Sequence, residues 1–434
     1  MRVPAGLRSR RSCCIPTSRH VSTYFPLDPS MRAHPRRSPL RPLKAAAALG
    51  GLLGLSGCLD VFAPVRPPPD PREIARNAFG REALAWFTPD SAGAGTMVPE
   101  LSGAHVYFER DMYLVSGGDI LSPAQLVALD RGSGQVAWQG PINTAGNAAV
   151  ARGVVGAVWG SLMMFDQASG APVHTYRFGT TSLSSNVVSD GSRFYVATHD
   201  GHAVAVDPAT GEAAWTTRLA QGPVSPGFGV TLSGEVLAVA VKHFGTGPAA
   251  PDSGIVAVLD RATGAVRWRA ALQGAADPGI VSPPAIVDGV VVVVTQGHDV
   301  RAFDLQTGAP RWQADVSFAA QEFASDGLAA CEGLVIVPTG ELGLAALDAA
   351  TGALRWRLRD IEEGSLHGVQ CAHGTAMTVG NRVTLFDART GALRVAHPRD
   401  PTAADPGFWI TAATRDEAFL YVATSIGYAK VRVP

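Results

Sequence analysis

Charge is scarce in this 434-residue sequence, at 17% Asp, Glu, Lys and Arg, and aromatic residues make up only 7%. Cysteine is rarer still, with five residues, two of which are the adjacent Cys13 and Cys14 near the N-terminus. No Gly-x-Ser-x-Gly nucleophile turn and no His-Glu-x-x-His helix occurs, which leaves no sequence signature of a serine hydrolase or zinc protease. The longest purely apolar run with small residues, AAAALGGLLGLSG at 45–57, is too short to span a bilayer as a stable helix. Gly (48) and Pro (31) are plentiful enough for many turns but too few for a collagen-like chain. The formal net charge of −1 conceals an asymmetry: ten of the 36 basic residues but one of the 37 acidic ones lie in 1–57. The remaining body is therefore acidic, which argues against a phosphate-backbone grip and hence against nucleic-acid binding.

The basic, then apolar, N-terminal region reads as a targeting segment. Arg32, Arg36, Arg37, Arg41 and Lys44 precede the apolar run, which ends in Leu55-Ser56-Gly57-Cys58. These four residues resemble the lipobox of bacterial lipoprotein signal peptides, which implies that Cys58 becomes the lipidated first residue. The alternatives are an uncleaved anchor or a chance cysteine after a plain signal. Residues 31–57 would form the signal, starting at Met31, and 1–30 would be a misassigned extension. Leu59 after the cysteine favours outer-membrane sorting. Residues 58–81 read as a tether: PVRPPPDP at 64–71 should be extended, and 71–79 could form a short helix opened by its proline.

From about residue 82 the chain repeats itself. Seven segments share apolar–Asp–x–x–Ser/Thr–Gly, five of them followed by x–x–x–Trp. The aspartates are Asp130, Asp166, Asp207, Asp260, Asp304, Asp348 and Asp387, spaced by about 43 residues on average; the glycines are Gly134, Gly170, Gly211, Gly264, Gly308, Gly352 and Gly391. Such a period built from short strands is the mark of a propeller blade. The carboxylate can open a turn on nearby N–H groups and glycine supplies positive φ. Alternation ahead of the Asp, as in Ala203–Val206, predicts a strand with one buried face. Trp138, Trp215, Trp268, Trp312 and Trp356 read as plugs between blades. His174 and Val395 stand at the Trp place in two repeats, where contacts should be weaker.

The tail, FLYVATSIGYAKVRV at 419–433, copies RFYVATHDGHAVAV at 193–206 and then stops before an outer strand. Residues 83–87, with Trp86 and no Asp–Gly turn before it, resemble an outer strand without its blade. The sequence therefore predicts an all-β, eight-bladed propeller of four-stranded antiparallel blades over 82–434, its last blade closed by the N-terminal strand. The other possibility is seven blades with 396–434 as an appendage.

The Asp-x-x-Thr-Gly-x-x-x-Trp repeats resemble the pyrroloquinoline-quinone-type β-propeller family. That family includes quinoprotein dehydrogenases and non-enzymatic members, among them a lipid-anchored accessory subunit of the outer-membrane β-barrel assembly machinery. The resemblance to the latter implies a non-enzymatic scaffold in the bacterial envelope. It would face the periplasm from the outer membrane, held by lipid, as a monomeric subunit touching a barrel-assembly protein. Alternatives are a scaffold or ligand sensor in another envelope complex and, less favoured, a dehydrogenase. The dehydrogenases stack their quinone between a Trp and, in many members, adjacent cysteines, with calcium alongside. Neither adjacent cysteines after the signal nor an oxygen-ligand cluster is visible, so no cofactor or metal is expected.

Loops 242–254 and 396–409 are candidate partner-binding insertions; no contact residue is assigned. His199-Asp200 and His298-Asp299 occupy equivalent turns and read as turn residues rather than ligands. Cys331 and Cys371 fall at nearly the same place in neighbouring repeats. Because blades diverge from the axis, two buried thiols are the expected state rather than a bridge.

Overall fold

The computed structural model describes residues 69–433 apart from loop segments, chiefly 115–119, 143–146, 179–185, 244–252, 273–279, 317–326, 362–368 and 398–407. Cys58 and the 242–254 and 396–409 insertions fall largely or wholly outside the described residues. Eight four-stranded antiparallel sheets follow one another along the chain. Blade 1 contains strands Glu100–Ser102, His105–Arg110, Gln125–Asp130 and Val136–Pro141; blades 2 to 7 repeat the order, ending with Leu393–His397. Blade 8 takes Ile410–Arg415, Phe419–Thr424 and Gly427–Arg432 from the C-terminus and Leu84–Pro89 from the N-terminus. Leu84 lies opposite Val431 and Thr88 opposite Tyr428 in that last ladder. The edge strand of the C-terminal hairpins is thereby covered and the ring closes.

The core is divided into eight slabs, each lying between two neighbouring blades. This arrangement explains the Val290–Val294 run, in which all five residues are buried. Val291 and Val293 enter the slab toward blade 4, while Val290, Val292 and Val294 enter the slab toward blade 6. Middle strands thus bury both faces and have no polar alternation. Ala203–Val206 behaves the same way, contrary to the single buried face expected for it. Its alanines pack toward blade 4 and its valines toward blade 2. Outermost strands such as Pro172–Arg177 and Ala213–Arg218 alternate instead.

Inner strands of consecutive blades lie side by side around the axis from blade 1 to blade 7. Asparagine amides stitch two of these inner seams as a neighbouring strand would. Asn147 accepts from Val187 N–H and donates to Val187 C=O, both at 2.8 Å. Asn186 does the same to Val230, at 2.9 and 3.2 Å.

Cys331 and Cys371 are joined by a disulfide, with Cα atoms 5.7 Å apart. The expected pair of thiols is therefore incorrect. Blade divergence governs the outer strands, whereas both cysteines sit on the innermost strands, Ala329–Cys331 and Val369–Ala372, where neighbouring blades are closest.

The helix Pro71–Phe79 begins with Asp70, whose carboxylate accepts from Arg72 N–H at 2.9 Å, and stops at Gly80 with φ of +87°. Its Ala75, Ala78 and Phe79 are buried against blades 7 and 8.

The disulfide closes a 40-residue separation. Reduction, or the double substitution Cys331→Ser and Cys371→Ser, should lower unfolding free energy by roughly 2–4 kcal/mol. Urea denaturation with and without reductant measures this; coincident curves would deny the bond a stabilising part.

Candidate functional site

Each repeat aspartate is engaged in its own turn. Asp304 Oδ1 accepts from both the N–H and the hydroxyl of Thr307, each at 2.8 Å, and its carbonyl accepts from Gly308 N–H at 2.9 Å. Asp130, Asp166, Asp260, Asp348 and Asp387 form the same turn with Ser133, Ser169, Thr263, Thr351 and Thr390. Asp207 Oδ1 accepts from Ala209 N–H at 2.9 Å. Four of these carboxylates also take a guanidinium from seven residues on. The pairs are Asp260–Arg267 at 2.8 Å, Asp348–Arg355 and Asp387–Arg394 at 2.6 Å, and Asp304–Arg311. The guanidinium first, then the Thr hydroxyl, holds Asp260, Asp348 and Asp387 at about 2, and pushes Asp304 lower still. Groups so firmly ionised cannot act as proton donors at neutral pH. Among the described residues, no cluster of His, Cys, Asp and Glu is arranged to hold a metal ion.

The glycine of each turn receives a ring from the preceding blade. Trp312 Nε1 donates to Ala349 C=O at 2.8 Å, and a Cβ on Gly352 would lie 2.6 Å from the Trp312 ring. Trp86, Trp138, Trp215, Trp268 and Trp356 seat likewise on Gly134, Gly170, Gly264, Gly308 and Gly391. Their indole N–H groups donate to the carbonyls of Arg131, Gln167, Arg261, Leu305 and Ala388, at 2.8–3.1 Å. Trp86, Trp138 and Trp268 are buried, whereas Trp215, Trp312 and Trp356 are half-buried. His174 keeps the seat: its ring rests on Gly211, with Nε2 3.2 Å from Ala209 C=O. The imidazole therefore stands in for the indole rather than leaving the place empty.

Two seams carry a further clamp that the repeat motif did not suggest. Asp416 Oδ2 accepts from Tyr421 Oη at 3.0 Å and pairs with Arg131 of blade 1 at 2.6 Å. Asp190 binds Tyr195 at 2.9 Å and Arg261 of blade 4 at 3.4 Å in the same way. Burial and the neighbouring Asp190 push the Tyr195 hydroxyl well above its ordinary value. The signal was legible as Asp-x-x-x-x-Tyr at 190–195 and 416–421, with Arg directly after the turn Asp of the next blade around the ring, Asp260 and Asp130. At the blade 8–1 seam the clamp lines a shallow cavity of about 540 Å³ with Phe419 and Lys430. Lys430 Nζ donates to Arg131 C=O at 2.7 Å and lies 4.1 Å from the Phe419 ring centre.

The seam between blades 7 and 8 is different. Blade 8 joins its third and fourth strands through the two chain ends, so it has no Asp–Thr–Gly turn, and Val395 has no glycine seat opposite. The helix fills one end of this seam, Phe79 packing on His397 and Phe408 at 6.2 and 5.8 Å between ring centres. A cavity of about 340 Å³ remains at the other end, lined by His373, Thr375, Leu385, Arg394, Val395, Arg415, Glu417 and Val433.

Comparison with known proteins agrees with this geometry. The family model described as outer membrane protein assembly factor BamB matches residues 158–242 and 199–423, together more than half of the chain. The chain belongs to the BamB family. No curated protein matches the sequence. BamB from Moraxella catarrhalis superposes with a TM-score of 0.57 at 16% identity, over 80% of this chain and 98% of that one. The computationally designed Ika8 protein (TM-score 0.61, 14% identity, 81% and 99% covered) shares the fold. So does Saccharomyces cerevisiae Sqt1 (0.60, 11%, 81% and 100%).

In this BamB-family ring, strand direction sorts the connections onto two rims. The Asp turns and the hairpins joining first and second strands share one rim, and both cavities open there. The strand ends joined by 244–252 and by 398–407 lie on the opposite rim. His199 and His298 lie outside the described residues. Their neighbours are engaged: Asp200 accepts from Thr198 and pairs with His202 Nδ1 at 3.0 Å, and Asp299 pairs with Arg301 at 3.1 Å.

Trp312→Ala should cost about 3 kcal/mol in urea unfolding, at the lower end for an aromatic truncation because the ring is half-buried, and His174→Ala should cost less. Gly352→Ala should be destabilising at fixed Trp312, since it adds both a strained φ of +72° and a ring clash. The turn carboxylates add a pH signature. Their folded values near 2 lie below the ordinary 3.8, so their stabilisation is complete above about pH 4 and is lost as pH falls toward 2. Denaturant midpoints should fall below about pH 4, less steeply in the double variant Arg355→Gln and Arg394→Gln; between about pH 7 and 5 the half-buried Glu100 carboxyl, pushed up to about 7, acts in the opposite sense and favours the fold as pH drops.

Proposed function

We propose that this chain is a non-enzymatic, lipid-anchored scaffold that assists β-barrel outer-membrane protein assembly from the periplasmic face. The match of the BamB family model across most of the propeller carries this reading. The Leu55-Ser56-Gly57-Cys58 sequence supports the anchor, through acyl chains on Cys58. The propeller offers a rigid ring whose repeated polar residues are consumed in turns and seams, which leaves recognition to rim loops and seam cavities.

Quinone chemistry does not fit the residues present. The seated indoles belong to outer strands and lie against glycine turns. The disulfide ties two neighbouring blades rather than forming a plate of adjacent cysteines. No step through a quinone or calcium ion is assigned.

Metabolic labelling with a fatty acid should mark the full chain, and Cys58→Ala should abolish the label and release the protein from membranes. Detergent solubilisation and recovery of the native protein should bring down an outer-membrane barrel that carries periplasmic modules. Exclusive recovery of a peptidoglycan-binding or transport complex would instead place the scaffold elsewhere in the envelope. An unlabelled parent chain would remove the anchor.

A further inference from the structure

The seam between blades 1 and 2 holds an acid without a counter-ion. Glu100 lies on the innermost strand of blade 1, directly opposite Tyr107 on the next strand. Opposed residues share a face of the sheet, so Glu100 points with Tyr107 into the slab that Trp138, Ala148 and Val155 fill between the two blades. It is half-buried there, and among the described residues no group hydrogen-bonds or ion-pairs with its carboxyl. Burial pushes the Tyr107 hydroxyl up to about 12; Gln167 opposes that shift and the Glu100 charge adds to it.

This seam carries a neutral version of the Asp–Tyr–Arg clamp. Ser102-x-x-x-x-Tyr107 stands where Asp190 and Tyr195, or Asp416 and Tyr421, stand in the charged clamps. Gln167 follows Asp166 where Arg261 follows Asp260 and Arg131 follows Asp130, and its Nε2 donates to Ser102 Oγ at 3.3 Å. The guanidinium that could meet an acid is therefore missing at the place where the other clamps supply one. Other polar groups around the seam are engaged elsewhere. Arg131 binds Gly103 C=O and Asp416, Arg152 lies 4.0 Å from Asp207, Asp166 is held by Ser169, and Asn147 by Val187. His105 shares the face of Glu100, with its ring 6.1 Å from that of Tyr107, and lies opposite Asp130. Burial is what acts on Glu100, and it pushes the carboxyl up to about 7.

We propose that Glu100 makes the blade 1–2 seam a pH-sensitive joint, tight while its carboxyl keeps a proton and loosened when the carboxylate forms. The neutral acid tolerates an apolar slab, whereas the anion must draw in water or move toward it. An unfolded chain ionises this group near 4.5 and the folded one near 7. The contribution of neutral Glu100 is thus complete below the first value and is lost as pH rises through the second. Loosening acts close to the ring's closure. Val98, two residues earlier, bridges Asn147 of blade 2 on the segment that leads from Leu84–Pro89 into blade 1. The joint belongs to the ring itself and does not depend on the partner it serves.

Hydrogen exchange of the full-length chain in mild detergent, corrected for intrinsic rates, tests this at about pH 5.5 and about pH 8. Peptides covering 98–108 and 147–158 should open roughly tenfold more at the higher pH, whereas Val290–Val294 of blade 5 should not. In Glu100→Gln, which keeps the shape and removes the charge, the difference should vanish, and the urea midpoint at the higher pH should exceed the parent's. His105→Gln should keep the difference. Persistence of the response in Glu100→Gln, its loss in His105→Gln, or equal protection of the parent at both pH values would overturn the proposal.

Discussion

The contact on which the ring depends is an aromatic plane laid on a glycine. The ring needs a flat, open seat, and the turn supplies one only because its fourth residue after the Asp carries no Cβ. At Gly308 and Gly352 any side chain would enter the van der Waals shell of Trp268 or Trp312. The indole N–H is then met by a carbonyl of the same turn. Each blade therefore contributes a seat on one side and a wedge on the other, and stability is distributed among nearest neighbours. The aspartate's part is indirect: it holds the turn in the shape that presents the glycine.

This division of labour explains how much could be read from residues alone. The Asp and Gly repeats gave seven of the eight blades because a turn must be encoded locally. Closure was visible because Trp86 has no turn before it and the 419–433 copy has no fourth strand after it. The two-sided burial of Ala203–Val206 was missed because alternation of small and large apolar residues looks like one face unless both neighbours are known. The cysteine pair was misjudged for a geometric reason: divergence of blades is a property of radius, and the sequence does not state the radius of residues 331 and 371. The cavity at Val395 was equally hidden. Valine there was read as a weaker wedge, but the space exists because blade 8 has chain ends where a turn would be.

The irregular seam also organises the surface. Seven seams are sealed by rings, while the eighth is partly sealed by a helix that precedes the propeller. On the opposite rim lie the strand ends that carry the 244–252 segment of blade 4 and the 398–407 segment between blades 7 and 8. The ring thus presents two unlike faces, one of compact turns with cavities at blade 8 and one carrying the longest connections.

Closure by Leu84–Pro89 has a consequence for biosynthesis. Leu84–Pro89 is made long before its partner and can find its ladder only when Gly427–Arg432 has been made, so the first strand of the propeller cannot dock until the last is present. A product shortened by a dozen residues would have every repeat and still lack the template for its own beginning. Completeness is thereby coupled to closure: a chain that stops before Gly427–Arg432 leaves Phe419–Thr424 with an unpaired sheet edge, which the whole ring covers.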